Sequence, residues 1–126
     1  MSRYHALVLV PGDAGTPVDE ACEAAAKLLY PFMRSEDDPE ADYQFDWFLQ
    51  PNDLSEPDDD DRLMWPVGDI VERFSELQVE AILTPDGRWH EAEAGQLWDD
   101  EEWVQKARHL LQQHRGCLAL RHMLHV

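Results

Sequence analysis

Tyr4-His5-Ala6-Leu7-Val8-Leu9-Val10-Pro11-Gly12 is the stretch whose reading decides the fold. From Ala6 to Val10 no polar side chain interrupts the run, and Pro11-Gly12 ends it. Consecutive apolar residues leave no wet face, so this segment reads as a strand buried on both sides at the centre of a sheet. A helix start follows at once. Thr16 can cap, Pro17 suits the first helical position, and Asp19 completes a capping-box spacing. Val18, Ala21, Cys22, Ala25, Leu28, Leu29 and Phe32 then recur at helical intervals, predicting one helix to about Met33.

Further out, Tyr43, Phe45, Trp47 and Leu49 alternate with Gln44, Asp46 and Gln50, the period of a half-exposed strand. A short helix is expected over Asp69 to Leu77, with Ile70, Val71, Phe74 and Leu77 inward. Val79 to Thr84 reads as a strand, Thr84-Pro85-Asp86-Gly87 as a tight turn, and Arg88 to Glu91 as the returning arm of a hairpin. Asp99 to Glu102 opens the last helix, whose stripe is Trp103, Val104, Ala107, Leu110, Leu111 and His114, and Gly116 ends it. Cys117 to Val126 closes the chain as a strand. The order predicts an α+β fold of ferredoxin-like sandwich type. Its sheet would be four-stranded and mainly antiparallel, with the hairpin arm added and two main helices on one face.

Composition bounds the rest. A chain of 126 residues with 44% apolar content suits one domain over 1–126 with a core of its own. No apolar run is long enough to cross a bilayer, no signal-like opening is seen, and Cys22 and Cys117 read as buried free thiols. The expected address is the cytoplasm. Ten Lys and Arg against 27 Asp and Glu give a net charge of −17. Twelve of those acids lie between Arg34 and Arg62, and without them the net would be −5. They flank one aromatic strand in two loops, at about 34–42 and 51–62. Such a surface repels nucleic acid and anionic membrane and attracts basic protein surfaces.

One resemblance emerges from Trp65-Pro66-Val67-Gly68-Asp69 and Thr84-Pro85-Asp86-Gly87-Arg88-Trp89-His90-Glu91. Together with Asp46-Trp47-Phe48, Trp103 and His125-Val126, these stretches are similar to an uncharacterised family of small bacterial and phage proteins with a Pro-Asp-Gly-x-Trp-His-Glu hairpin. The similarity spans most of the chain, but only the hairpin is specific. It implies a strand-first mixed fold and a bacterial or phage context, and it supplies no chemistry. Members tend to carry Gly-Gly-Arg-Trp where this chain has Leu49-Gln50-Pro51-Asn52-Asp53, and an acid in place of Met123. A polar site built from that Arg, the hairpin His and a terminal Asp-x-His would be incomplete here.

No motif specifies a reaction. Six histidines invite a metal, but His122 and His125, three apart on a strand, face opposite ways, and His109 and His114 diverge on their helix. Capping and surface roles fit them better, and neither metal nor cofactor is expected. Neither cysteine sits beside an evident base. Pro11-Gly12-Asp13-Ala14-Gly15 lacks the lysine and spacing of a phosphate-binding loop. Trp47 and Trp103 fit core stripes, whereas Trp65, Trp89 and Trp98 fall in or beside loops and the hairpin.

The chain therefore reads as an acidic binding protein rather than an enzyme. It would mimic nucleic acid and block the basic groove of a nucleic-acid-binding partner, as phage anti-CRISPR or anti-restriction inhibitors do. Glu36, Asp37, Asp38, Asp58, Asp59, Asp60 and Asp61 would supply the charge, with Trp47 and Phe48 as anchors. The alternatives are a ligand site or small enzyme using Trp89, His90, Glu91 and His125, and a homodimer packed through its sheet.

Overall fold

The computed structural model describes residues 3–13, 15–33, 45–50, 64–93 and 99–125. Strand β1 (Arg3–Pro11) leads to helix α1 (Val18–Leu29), which tightens into a 3-10 turn at Tyr30–Phe32. Two three-residue strands follow, β2 (Trp47–Leu49) and β3 (Met64–Pro66). One turn of α-helix, α2 (Val67–Ile70), runs on as a 3-10 helix over Val71–Leu77. Strands β4 (Ala81–Leu83) and β5 (Trp89–Glu91) form the hairpin, and helix α3 (Glu101–Gln113) precedes the long strand β6 (Cys117–His125).

These strands form one mixed sheet. β1 lies at its centre, antiparallel to β6 over nine residue pairs and parallel to β4, which in turn pairs with β5. The far side of β6 carries β2 and β3 end to end: Trp47–Leu49 against His125–Met123, and Met64–Pro66 against Leu120–Leu118. They amount to one edge strand interrupted by residues 50–63.

The expected four-stranded sheet with both main helices on one face is not what the chain adopts. Six strands are present among the described residues, and the helices lie on opposite faces. Side-chain alternation along β1 shows why. Ala6, Val8 and Val10 meet Ala21, Cys22, Ala25 and Leu29 of α1 in one core. Leu7 and Leu9 meet Phe74 and the α3 residues Trp103, Ala107 and Leu111 in the other. A strand fully buried on both sides needs a layer over each.

Local chemistry sets the ends. Thr16 does not cap α1. Its Oγ1 accepts from the Asp13 N–H at 3.1 Å, while Asp13 Oδ1 accepts from the Gly15 N–H at 2.8 Å, so both side chains shape the turn before the helix. The last helix is capped as its acids suggest, the Glu102 N–H donating to Asp100 Oδ1 at 3.0 Å. In the hairpin the Gly87 N–H donates to the Thr84 carbonyl at 2.9 Å, with Gly87 at φ +81°, a conformation that favours glycine. The Thr84 hydroxyl donates to Asp86 within the same turn, and that bond holds the exposed Asp86 carboxyl below its usual range. No helix among the described residues is long and apolar enough to cross a membrane.

Candidate functional site

The sheet edge where β2 and β3 meet β6 gathers most of the unusual side chains. The chain bends at Asp46, whose N–H donates to the His125 carbonyl at 2.7 Å. Because of that bend Phe45 and Phe48, three apart, enter the same core, rather than Phe45 and Trp47. Phe45 is fully buried, lying edge-on to Phe48 at 5.8 Å and 6.1 Å from Trp89 on the opposite sheet edge. Ala6 and Ala81, paired at the sheet centre, belong to the same core. Phe45 also bridges Met33, so the two ends of the 34–44 segment are joined.

Trp47 does not enter a core. At 39% exposure it stacks on the His125 imidazole, ring centroids 4.8 Å apart and planes within 7°. His125 Nδ1 lies 3.7 Å from Asp46 Oδ2. Trp47, Asp46 and His125 thus form one surface group on the α3 side of the sheet. His122, on the α1 side, is wholly buried, which its reading as a surface or capping residue missed. Its Nδ1 lies 3.2 Å from the Leu120 carbonyl and its Nε2 3.4 Å from Gln50 Oε1, with Phe48 across the ring. Gln50 is 72 positions away in sequence, so no local pattern announces the pair.

Of the residues expected to bind a partner, Trp47 and Phe48 sit at this edge. Glu36, Asp37, Asp38 and Asp58 to Asp61 lie outside the described residues. The alternative set is not brought together. Trp89, His90 and Glu91 are on β5, and β1 and β4 intervene between it and the β6 strand that holds His125. Three strand spacings separate them, roughly 14 Å. Trp89 packs against Phe32 and Phe45 and donates from Nε1 to Glu91 Oε2 at 3.3 Å. His90 faces the α3 side. Burial and the nearby Lys106 lower its pKa, with Asp86 opposing them. Trp65, read as a loop residue, is buried in the α3-side core.

The described surface includes two recesses. One, of about 200 Å³, is lined by Glu91, Glu93, Glu102, Trp103 and Lys106. A wider groove of about 480 Å³ runs along α1 beside Val10, Pro11 and Pro85, with Glu20, Glu23 and Lys27 at its rim. Among the described residues no three His, Cys, Asp or Glu side chains are placed to hold a metal ion. Cys22 is buried, and burial pushes the Cys117 thiol pKa up, the reverse of an activated nucleophile. No family model matches the chain, and neither the curated proteins nor the solved structures contain a significant match to it.

Proposed function

We propose that this chain is a non-enzymatic binding protein that presents carboxylates to the basic, nucleic-acid-binding surface of a partner protein and occupies it in place of nucleic acid. The observation supporting this is where the two acid-rich segments attach. The first leaves at Met33 and returns at Phe45, which bridge each other. The second leaves β2 after Leu49 and returns at Met64, and the β6 residues opposite those two, Met123 and Leu120, are three positions apart. That fixes its ends about 10 Å from one another. The segments 34–44 and 51–63, which carry five and six acids in the sequence, therefore each leave and rejoin the described fold at points close together.

Such a concentration of like charge attracts basic surfaces and speeds encounter with them. Asp58 to Asp61 are consecutive, so their spacing is at most about 3.6 Å of chain per charge. Each DNA strand carries one phosphate per about 3.4 Å. A groove built for phosphates meets a comparable charge density here. An inhibitor of the anti-restriction or anti-CRISPR type is the functional class this chemistry fits.

The test is affinity capture from a bacterial lysate with elution in rising salt. The eluted proteins are then assayed for DNA or RNA binding with and without the chain. Expected are salt-eluted nucleic-acid binders that lose their nucleic acid when wild-type chain is added and keep it when Asp58 to Asp61 are changed to Lys. Nucleic-acid binding unaffected by the wild-type chain, or a four-lysine variant as potent as wild type, would count against the proposal.

A further inference from the structure

We infer that Trp47 is an arginine-accepting anchor, which selects arginine over lysine on a partner's basic surface; this rests on the binding role proposed above. Trp47 is one of three large apolar side chains exposed among the described residues, and its environment differs from those of Val18 and Tyr30. One face of the indole is covered by the imidazole of His125, nearly parallel at 4.8 Å. His125 is itself held by its place on β6 and is only slightly exposed, its side chain keeping 14% exposure, with Asp46 Oδ2 3.7 Å from its Nδ1. The indole is therefore held in place before any partner arrives, and its exposed surface offers a ready platform. Preorganised side chains bind without a further ordering cost.

The chemistry of that platform favours one cation over another. An indole face is the best aromatic acceptor for a cation. A guanidinium is flat and weakly hydrated, so it lies on the ring while its N–H groups stay free in their own plane to donate to carboxylates or water around it. An ammonium is a strongly hydrated point charge and gains less from the same face. Bulk negative charge attracts arginine and lysine alike; a stacked indole does not. Salt separates the two contributions, because diffuse charge attraction is screened over about 8–10 Å while a stacked contact is not.

Fluorescently labelled hexa-arginine and hexa-lysine peptides, titrated against the whole chain at about 50 and 200 mM salt, test this. Wild type is expected to bind the arginine peptide about two- to fivefold more tightly than the lysine peptide, and the preference should widen at the higher salt. Trp47→Leu should bring the two peptides level, by weakening the arginine peptide more than the lysine peptide. Trp47→Phe, which keeps a weaker aromatic face on the same strand, should fall between and serves if the leucine variant is poorly folded. Equal binding of the two peptides by wild type, or a preference that Trp47→Leu and Trp47→Phe leave intact, overturns the anchor but not the acidic binding role. If neither peptide binds, both fall.

Discussion

Replacing Phe45 with alanine should weaken the edge that carries the acidic segments without touching a charge. The ring is fully buried and meets Phe48 edge-on at 5.8 Å and Trp89 at 6.1 Å. Its void would open in the α1-side core, where β1 and β4 are each hydrogen-bonded on both sides in the sheet and are poorly placed to move in and fill it. Core Phe→Ala changes cost about 3–5 kcal/mol. The two ring contacts account for about 1–3 kcal/mol of that. A domain of this size has about 5–15 kcal/mol in total, so the variant should lose between about a fifth and all of its stability. Urea unfolding followed by far-ultraviolet circular dichroism reads the loss as a lower midpoint at unchanged slope. Phe45→Leu should lose clearly less, since most of the volume stays filled. Affinity for hexa-lysine should fall in the alanine variant although its net charge is the same. A loss below about 1 kcal/mol, far under the cost of emptying a packed site, would show that Phe45 does not lock the two edges together and would remove the anchoring argument.

Trp103→Phe should be costly on the other face. The indole Nε1 donates to the Val79 carbonyl at 2.9 Å inside the core, so phenylalanine strands a buried acceptor at about 1–3 kcal/mol beyond the lost volume. The thermal midpoint should drop while peptide binding holds, and an unchanged midpoint would refute the assigned bond. Stability should also fall with acid. His5 is held below the ordinary histidine pKa by burial and then by Arg121, and His90 by burial and then by Lys106. Both favour the neutral ring in the folded chain, so the unfolded chain takes up protons first. Their stabilising effect is complete above the ordinary histidine range and is lost as pH drops through it. His5→Asn should flatten the fall in thermal midpoint between about pH 8 and pH 5, more than His90→Asn does, since His90 is the less buried; a fall equally steep without either ring would refute this assignment.

The long elements were legible because their patterns are long. β1, α1, α3 and β6 each span nine residues or more, enough for a period to declare itself. β3 has three residues and ends in proline, a composition that gives no strand signal. The two-sided layering was also written in Ala6 to Val10, since a strand with no wet face cannot be served by helices on one side alone. Reading Tyr43 to Leu49 as a uniform alternation misassigned Trp47, because the bend at Asp46 reverses the parity between Phe45 and Phe48. The His122–Gln50 contact depends on two distant segments meeting, which no window of sequence contains. The charge was legible by count, and so was the hairpin turn, whose proline and glycine fall where the backbone requires them.

The interrupted edge strand has a consequence for how the molecule forms. Neither β2 nor β3 pairs with β1; among the described residues each is hydrogen-bonded to the sheet through β6, which lies more than fifty residues further along the chain. During synthesis the acidic segments would thus emerge long before the strand that tethers them. Contacts this remote in sequence are slow to close, and until they do the apolar flanks of those segments stay exposed to other chains. Dense like charge at that place repels a second copy of the same nascent edge. The carboxylates that would draw in a basic partner would then serve first as the chain's own protection while it waits for its last strand.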